Sequence, residues 1–122
     1  MGQGALAANT TASNNTAVGG SSLAANTTGT QNTSVGSLAL DANTTGDNNI
    51  GIGYHSNSAT TTGSHNVAVG AEALDANTQG SYNTAVGTFA LGAMNFTTAT
   101  NSYNIGVGAS AGTAITTAQA TT

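Results

Sequence analysis

The sequence predicts an all-β fold, a parallel β-roll (β-solenoid) of about seven 17-residue coils stacked on one another. A segment that begins with Asn and ends with Gly, such as Asn83-Thr84-Ala85-Val86-Gly87, occurs six times. Its asparagines recur at a constant spacing from Asn15 to Asn83, and the last gap, to Asn104, is longer. Apolar residues recur at fixed positions in this period, which indicates a solenoid, because one repeat cannot bury its apolar face alone.

The composition does not change along residues 1–122, which predicts a single repeat domain. We number each coil from its first glycine, which is position 1. The sixth coil has four additional residues, and the seventh loses the pattern in a Thr/Ala tail. A segment of this kind is expected to belong to a longer fibrous chain. The coils begin at Gly2, Gly19, Gly36, Gly53, Gly70, Gly87 and Gly108.

The end of each coil alternates with period two, which predicts a short strand over positions 15 to 17. The β-branched residue at position 17 is expected to face the core and to form an apolar ladder. The Ala-Leu-x-Ala stretch at positions 4 to 7 predicts a second strand, and Asn-Thr-Thr-Gly segments predict turns. Position 1 is always Gly, which predicts a positive φ or a close backbone approach. The apolar ladder comprises Val18, Val35, Ile52, Val69, Val86 and Val107.

The asparagine at position 14 lies beside this ladder in every coil. Identical residues on stacked coils superpose, so these side chains are expected to form an amide ladder in which each one bonds the next. A helix is disfavoured, because β-branched residues and glycines lower helix propensity. The asparagine ladder comprises Asn15, Asn32, Asn49, Asn66, Asn83 and Asn104.

The charge composition excludes several classes of partner. The chain has no Lys or Arg and four carboxylates, for a net charge of −4. Binding to nucleic acid or to an anionic membrane needs cationic groups, so neither is expected. No apolar run is long enough to cross a bilayer, so this segment is expected not to insert into a membrane. With a surface solvated by neutral Thr, Asn, Ser and Gly, we expect an extracellular, cell-surface or virion location.

The ionisable residues do not form a recognisable reactive group. Asp41 and Asp75 share position 6 but lie two coils apart, and His55 and His65 fall on different sides of the coil. The carboxylates are too few and too widely separated for a general acid–base pair. We therefore predict no catalytic residues, no metal ligands, no cofactor and no enzymatic activity.

Two features are candidates for contact with a glycan or a protein receptor. His65, Tyr82 and Tyr103 occupy position 13 on successive coils and are expected to form an aromatic stripe, which would serve either as a binding face or as a stiffening ladder. The insertion of the sixth coil brings Met94 and Phe96 into a chain with two Met and two Phe. Loops that interrupt a regular scaffold often bind ligands, but this one could equally cap the coil or seal a trimer seam.

Part of the repeat resembles a known family. The segments His65-Asn66-Val67-Ala68-Val69-Gly70 and Asn48-Asn49-Ile50-Gly51-Ile52-Gly53, each followed by the second half of the coil, are similar to head repeats of YadA-type trimeric autotransporter adhesins. They also look like repeats of phage tail fibres. The resemblance implies a left-handed parallel β-roll, three chains packed about a fibre axis, and attachment to cell surfaces. The coil is longer here than in that family, and the Lys and Arg of the adhesin heads are missing.

The oligomeric state and one alternative function also follow from the residues. The core of one coil is thin, and small cores usually need oligomerisation, so we expect a homotrimer in which the small residues at positions 4 and 7 allow close approach.

The alternative function is an ice-binding β-solenoid. Pairs such as Thr27-Thr28 and Thr44-Thr45 repeat at coil spacing, although adjacent residues in a turn point in different directions.

Overall fold

The computed structural model describes residues 1–122 and contains eight short strands and no helix. No helical segment is therefore long and apolar enough to cross a membrane. The strands are β1 (Thr16–Val18), β2 (Thr33–Val35), β3 (Ile50–Ile52), β4 (Val67–Val69), β5 (Gly80–Ser81), β6 (Thr84–Val86), β7 (Thr100–Asn101) and β8 (Ile105–Val107).

Six of these strands form one parallel sheet in the order β1-β2-β3-β4-β6-β8. The register advances by one whole coil at each step, so that Val18 lies opposite Val35 and Val35 opposite Ile52. The last step, from β6 to β8, spans the longer sixth coil and pairs Val86 with Val107. Strands β5 and β7 form a separate two-stranded parallel pair. The predicted all-β solenoid with a constant coil spacing is confirmed, and the six stacked strands bound about five turns.

The residues that face the interior of the sheet are the small ones in the middle of each strand. Ala17, Ala68 and Ala85 are buried, whereas Val18 is 48% exposed and Val107 is 68% exposed. The prediction that the position-17 ladder faces the core is therefore wrong. Interior space decides the orientation: a Cβ added to Gly51, at the same middle position, would lie 3.0 Å from Leu40 Cγ. There is no room inward for Val or Ile.

The predicted second strand at positions 4 to 7 is a run of turns. The leucine at position 5 adopts a left-handed backbone, with φ of 52° at Leu23 and 50° at Leu40, and position 3 is also left-handed in these coils. A backbone with left-handed residues at positions 3 and 5 cannot form an extended strand. It directs the leucines inward, and Leu23, Leu40, Leu74 and Leu91 are fully buried.

The asparagines at position 14 link each coil to its neighbours through the backbone. Asn15 Oδ1 accepts a hydrogen bond from the backbone N–H of Asn32 at 2.9 Å, and Asn32 Oδ1 accepts one from Asn49 at 2.8 Å. The amide Nδ2 of Asn32 donates to the carbonyl of Gly46 at 2.8 Å. The amides therefore bond mostly to backbone groups of the next coil, where the sequence predicted bonds between side chains.

A second asparagine ladder lies at position 8, in the segments that the sequence indicated only as turns. Asn26 Nδ2 donates to Asn9 Oδ1, and Asn43 Nδ2 donates to Asn26 Oδ1, both at 2.9 Å. Asn26 also donates to the carbonyl of Gly29 at 2.9 Å, which closes the turn within its own coil. Asn26 and Asn43 are fully buried, so these polar groups fill the interior and are satisfied there.

The sequence predicted a positive φ or a close backbone approach at the first glycine of the coil, and Gly19 shows both. Gly19 has a φ of 130°, which residues with side chains rarely adopt. A Cβ added to it would also lie 2.4 Å from the carbonyl oxygen of Gly36 in the next coil. The backbones of adjacent coils therefore pass each other here at a distance that only glycine allows.

The core is interrupted in the fourth coil, where Asn57 replaces the leucine of position 5 and Thr60 replaces the asparagine of position 8. Thr60 Oγ1 donates to Asn57 Oδ1, but Asn57 Nδ2 is buried without a hydrogen-bond partner. Apolar packing is divided at this coil into one cluster around Leu23 and Leu40 and another around Leu74 and Leu91. Coil four is therefore the weakest part of the interior.

Asn57→Leu is expected to stabilise the chain, because it removes the unpaired donor and joins the two apolar clusters. The cost of an unsatisfied buried donor suggests a gain of about 1–3 kcal/mol in the free energy of unfolding. Urea denaturation followed by circular dichroism measures it. The matched control, Leu74→Asn in the next coil, should lower stability; a loss of stability in Asn57→Leu would contradict this account of coil four.

Two neighbouring substitutions test which face of the strand is inside. Ala85→Asp places a charge in the interior and should reduce stability by about 3–5 kcal/mol, the typical cost of an uncompensated buried charge. Val86→Asp places the same charge on the outer face, where its effect on the isolated chain should be below about 1 kcal/mol. Circular dichroism melts of the two variants and the wild type make the comparison, at a protein concentration at which sedimentation shows only monomers. Equal destabilisation would mean that the assigned orientation of the strand is incorrect.

Candidate functional site

The aromatic side chains of position 13 form a continuous column on the surface. The ring centroids of His65 and Tyr82 lie 4.7 Å apart with an angle of 7° between their planes, and those of Tyr82 and Tyr103 lie 5.1 Å apart at 21°. All three residues have left-handed backbones, with φ between 53° and 62°. Because the same backbone conformation recurs one coil apart, the rings project in the same direction and stack at the spacing of the coils.

Stacking decides which part of the column a ligand can reach. Both faces of the Tyr82 ring are covered by its neighbours, so a sugar cannot stack on them. The outer edges and the two phenol hydroxyl groups remain accessible, since Tyr82 is 42% and Tyr103 53% exposed. Stacked aromatic pairs contribute about 0.5–1.5 kcal/mol beyond their area burial, so the stacked rings also stabilise the folded coils.

Met94 and Phe96, for which the sequence left ligand contact and a cap as open alternatives, lie in the interior. Met94 is fully buried and Phe96 is 7% exposed, and both belong to the apolar cluster around Leu74 and Leu91. Asn104 Nδ2 lies 3.0 Å from Met94 Sδ. Met94 occupies position 8 of its coil, where Asn26 and Asn43 are buried in earlier coils, so its inward direction follows from the regular part of the repeat.

The register shows where the additional residues of the sixth coil are accommodated. Gly80 pairs with Thr100, and the spacing between these two residues already includes most of the insertion. The rest of the insertion lies between this pair and the next one, in which Thr84 pairs with Ile105. The insertion therefore lies mainly ahead of β7, with a small part between β7 and β8. Residues 97–99 are exposed at the bulge, and they carry threonine and alanine side chains.

The ionisable residues do not converge on a common site. No group of three His, Asp or Glu side chains comes together, and no pocket opens on the surface. Asp47 accepts hydrogen bonds from the backbone N–H of Thr30 at 2.6 Å and from its hydroxyl at 3.0 Å. Its carboxylate therefore has a structural partner in the preceding coil.

Asp41 and Asp75 are partly buried carboxylates. Partial burial raises the pKa of Asp41, and the nearby His55 opposes the shift. Burial likewise raises the pKa of Asp75, with a further increase from the negative charge of Glu72. In both cases the folded chain holds its proton more strongly than the unfolded chain does.

The feature that sequence reasoning missed is the outer face of the large sheet. We call the outward side chains at the first and third residues of β1 to β4, β6 and β8 the sheet face. They include Ile52, Ile105 and Val107, all exposed. The signal in the sequence was the small residue at position 16, which marks the inward side of a narrow coil.

The fold places the chain in the class of β-solenoid repeat proteins. Comparisons with protein-family models, with curated proteins and with solved structures found no match. Function is therefore inferred from the stacked coils and the surfaces that they present.

Asp75→Asn should stabilise the chain at pH 7 and have a smaller effect near pH 3. The reason is the sign of the shift: between the unfolded and the raised folded pKa the native state binds more protons, so stability falls as pH rises. Thermal melts of both proteins across this range measure the difference. Asp47→Ala, which loses the two bonds to Thr30, should instead be destabilising at pH 7. A pH-independent difference between wild type and Asp75→Asn would contradict the assigned cause.

Proposed function

We propose that this chain is a non-enzymatic structural and adhesive fibre segment, of the kind found in phage tail fibres or bacterial surface adhesins. It would project, or itself form, a surface for attachment to cells. The observation that carries the proposal is the uninterrupted stack, in which every strand of the large sheet pairs only with the preceding and following coils. Stacking coils in this way makes the chain longer with each repeat, and a segment that projects an attachment surface needs length.

The bonding between coils supports a load-bearing role. Each junction combines backbone hydrogen bonds with buried amide bonds, as where Thr33 N donates to Asn49 O at 2.8 Å and Asn49 N donates to Asn32 Oδ1. These bonds run along the stacking direction, and the side chains of Asn32 and Asn49 are fully buried. Separating two coils would require breaking all of them together.

The finer description is part of the same proposal. Seven coils at the spacing of paired strands would make a rod about 34 Å long. The resemblance to YadA-type repeats supports a left-handed roll and a homotrimer, and the near absence of charge supports an extracellular, cell-surface or virion location. A cell-surface glycan or protein receptor would meet the ring edges of His65, Tyr82 and Tyr103 and the hydroxyl groups of the two tyrosines.

Small-angle X-ray scattering and sedimentation of the purified chain test the fibre. We expect an elongated particle with three times the mass of one chain. A compact globular particle would contradict the proposal. For attachment, the labelled protein is applied to candidate host cells beside a Tyr82→Ala/Tyr103→Ala variant. The variant should bind less if the column is the contact surface, and equal binding would assign the contact elsewhere.

Ice binding is the second candidate, and the structure supplies one observation in its favour. Thr28, Thr45 and Thr62 form an exposed row at position 10. The threonine hydroxyl groups at the preceding position form hydrogen bonds between coils, since Thr27 Oγ1 donates to the carbonyl of Thr44 at 3.1 Å. One narrow row therefore remains for ice. Absence of thermal hysteresis at high protein concentration would eliminate this function.

A further inference from the structure

We infer that position 13 as a whole binds a neutral, extended polysaccharide, which lies along the stack of coils with one sugar on each coil. The inference rests on the proposed attachment function and names the class of ligand for it. The site, which we call the track, continues the aromatic column through three amide side chains on the preceding coils. The members of the track are Asn14, Gln31, Asn48, His65, Tyr82 and Tyr103.

The coils hold these six side chains in one register. Each member has a left-handed backbone, with φ between 53° and 62°. The backbone N–H of each member from coil two to coil five donates to position 12 of the preceding coil, from Gln31 N to Ser13 O at 3.3 Å and from Tyr82 N to Ser64 O at 3.0 Å. The side chains therefore follow one another at about 4.8 Å, and five such steps place the first and last about 24 Å apart.

The amides of the track are available to a ligand. Asn32, the residue after Gln31, is fully buried, and its amide donates to Gly46 O and accepts from Asn49 N in the next coil. Asn14 and Gln31 are instead exposed, and their side chains take part in none of the hydrogen bonds between coils. A free amide offers a carbonyl acceptor and two N–H donors, and sugar hydroxyl groups can bond to both.

Backbone conformation alone does not explain which residues occupy the track. Asn and His are among the residues that adopt left-handed conformations most readily, which accounts for Asn48 and His65. It does not account for Gln31, Tyr82 and Tyr103, where glycine would adopt the same conformation without steric cost. The property that amide, imidazole and phenol groups share is an uncharged outer group able to form hydrogen bonds. The track is therefore defined by what it presents to the solvent.

The charge of the chain restricts the ligand to uncharged sugars. The chain has no Lys or Arg and a net charge of −4. A polymer of uronic acids, sialic acids or sugar phosphates would find no cation along the track and would be repelled by the chain. Asp47, the carboxylate next to the track in the sequence, already accepts two hydrogen bonds from Thr30. Contacts with the ligand are therefore hydrogen bonds between neutral groups.

The spacing of the track favours a polysaccharide over an extended peptide. Side chains on one face of a peptide strand recur about every 6.8 Å, twice the rise per residue, so they lose register with a track spaced at about 4.8 Å within one or two coils. A pyranose ring linked through opposite ring carbons is close to the coil spacing in length, so successive sugars meet equivalent positions. Both faces of Tyr82 are covered, so sugars contact ring edges and hydroxyl groups.

The dependence of binding on chain length tests the track. The purified chain is applied to an array of linear β-linked glucan, mannan and chitin fragments of two to eight sugars, with uronic-acid and sialylated chains beside them. We expect binding to a neutral series, with an affinity that rises with each added sugar and levels off at about six, one for each member of the track. Length-independent binding, binding confined to charged chains, or no binding would overturn the inference.

A variant of the amide half tests whether the site extends beyond the aromatic column. Gln31→Ala/Asn48→Ala removes two hydrogen-bonding groups and should weaken binding of a six-sugar fragment about 10-fold. Its affinity should level off at a shorter chain length than that of the wild type. The control Thr28→Ala/Thr45→Ala changes exposed residues of the same two coils outside the track and should bind like the wild type. Circular dichroism checks that both variants fold. Equal affinity of the two variants would overturn the extended track.

Competition on cells separates this inference from the proposed function. Labelled protein is applied to candidate host cells with and without an excess of the six-sugar fragments from the array. We expect the neutral fragment that binds best to displace the protein, and a two-sugar fragment of the same series to displace it poorly. Cell binding that no fragment reduces would indicate a protein receptor, which overturns the inference and leaves attachment standing. Absence of binding to both cells and array would overturn both.

Discussion

The interior of each coil is narrow, and this constraint determines most of the structure. In a typical coil it holds one leucine, two small residues at positions 4 and 16, and two asparagine amides. The amides are there because a coil so small cannot exclude its own backbone from the centre. Their hydrogen bonds to the next coil satisfy groups that would otherwise be buried without partners, at a cost of about 1–3 kcal/mol each.

The same constraint explains the unusual backbone. A short coil must turn sharply, and it does so at left-handed residues that include leucine, histidine and tyrosine in addition to glycine. Left-handed conformations are uncommon for such residues and are retained where the surroundings enforce them. Here the ladder bonds on both sides of each coil provide that enforcement. The aromatic column is a consequence, since position 13 is left-handed in six coils and carries a ring on three successive ones.

The narrow interior also separates the side chains into an inward group and an outward group with different roles. Small and amide side chains go inward and hold coil to coil. Large β-branched side chains go outward and form a regular apolar surface that a single chain leaves in contact with water. A chain built in this way gains stability from its repeats along one direction.

The sequence by itself determined the period, the parallel strands, the register and the need for glycine at position 1, because like residues must superpose in a stack. It also indicated that His65, Tyr82 and Tyr103 would share one stripe. Only the tertiary structure decided which side of each strand faces inward, because alternation defines two faces without saying which one the coil encloses. The burial of Met94 and Phe96 and the second asparagine ladder were likewise decided there. Each depends on the width of the interior, a property that no single segment of the sequence contains.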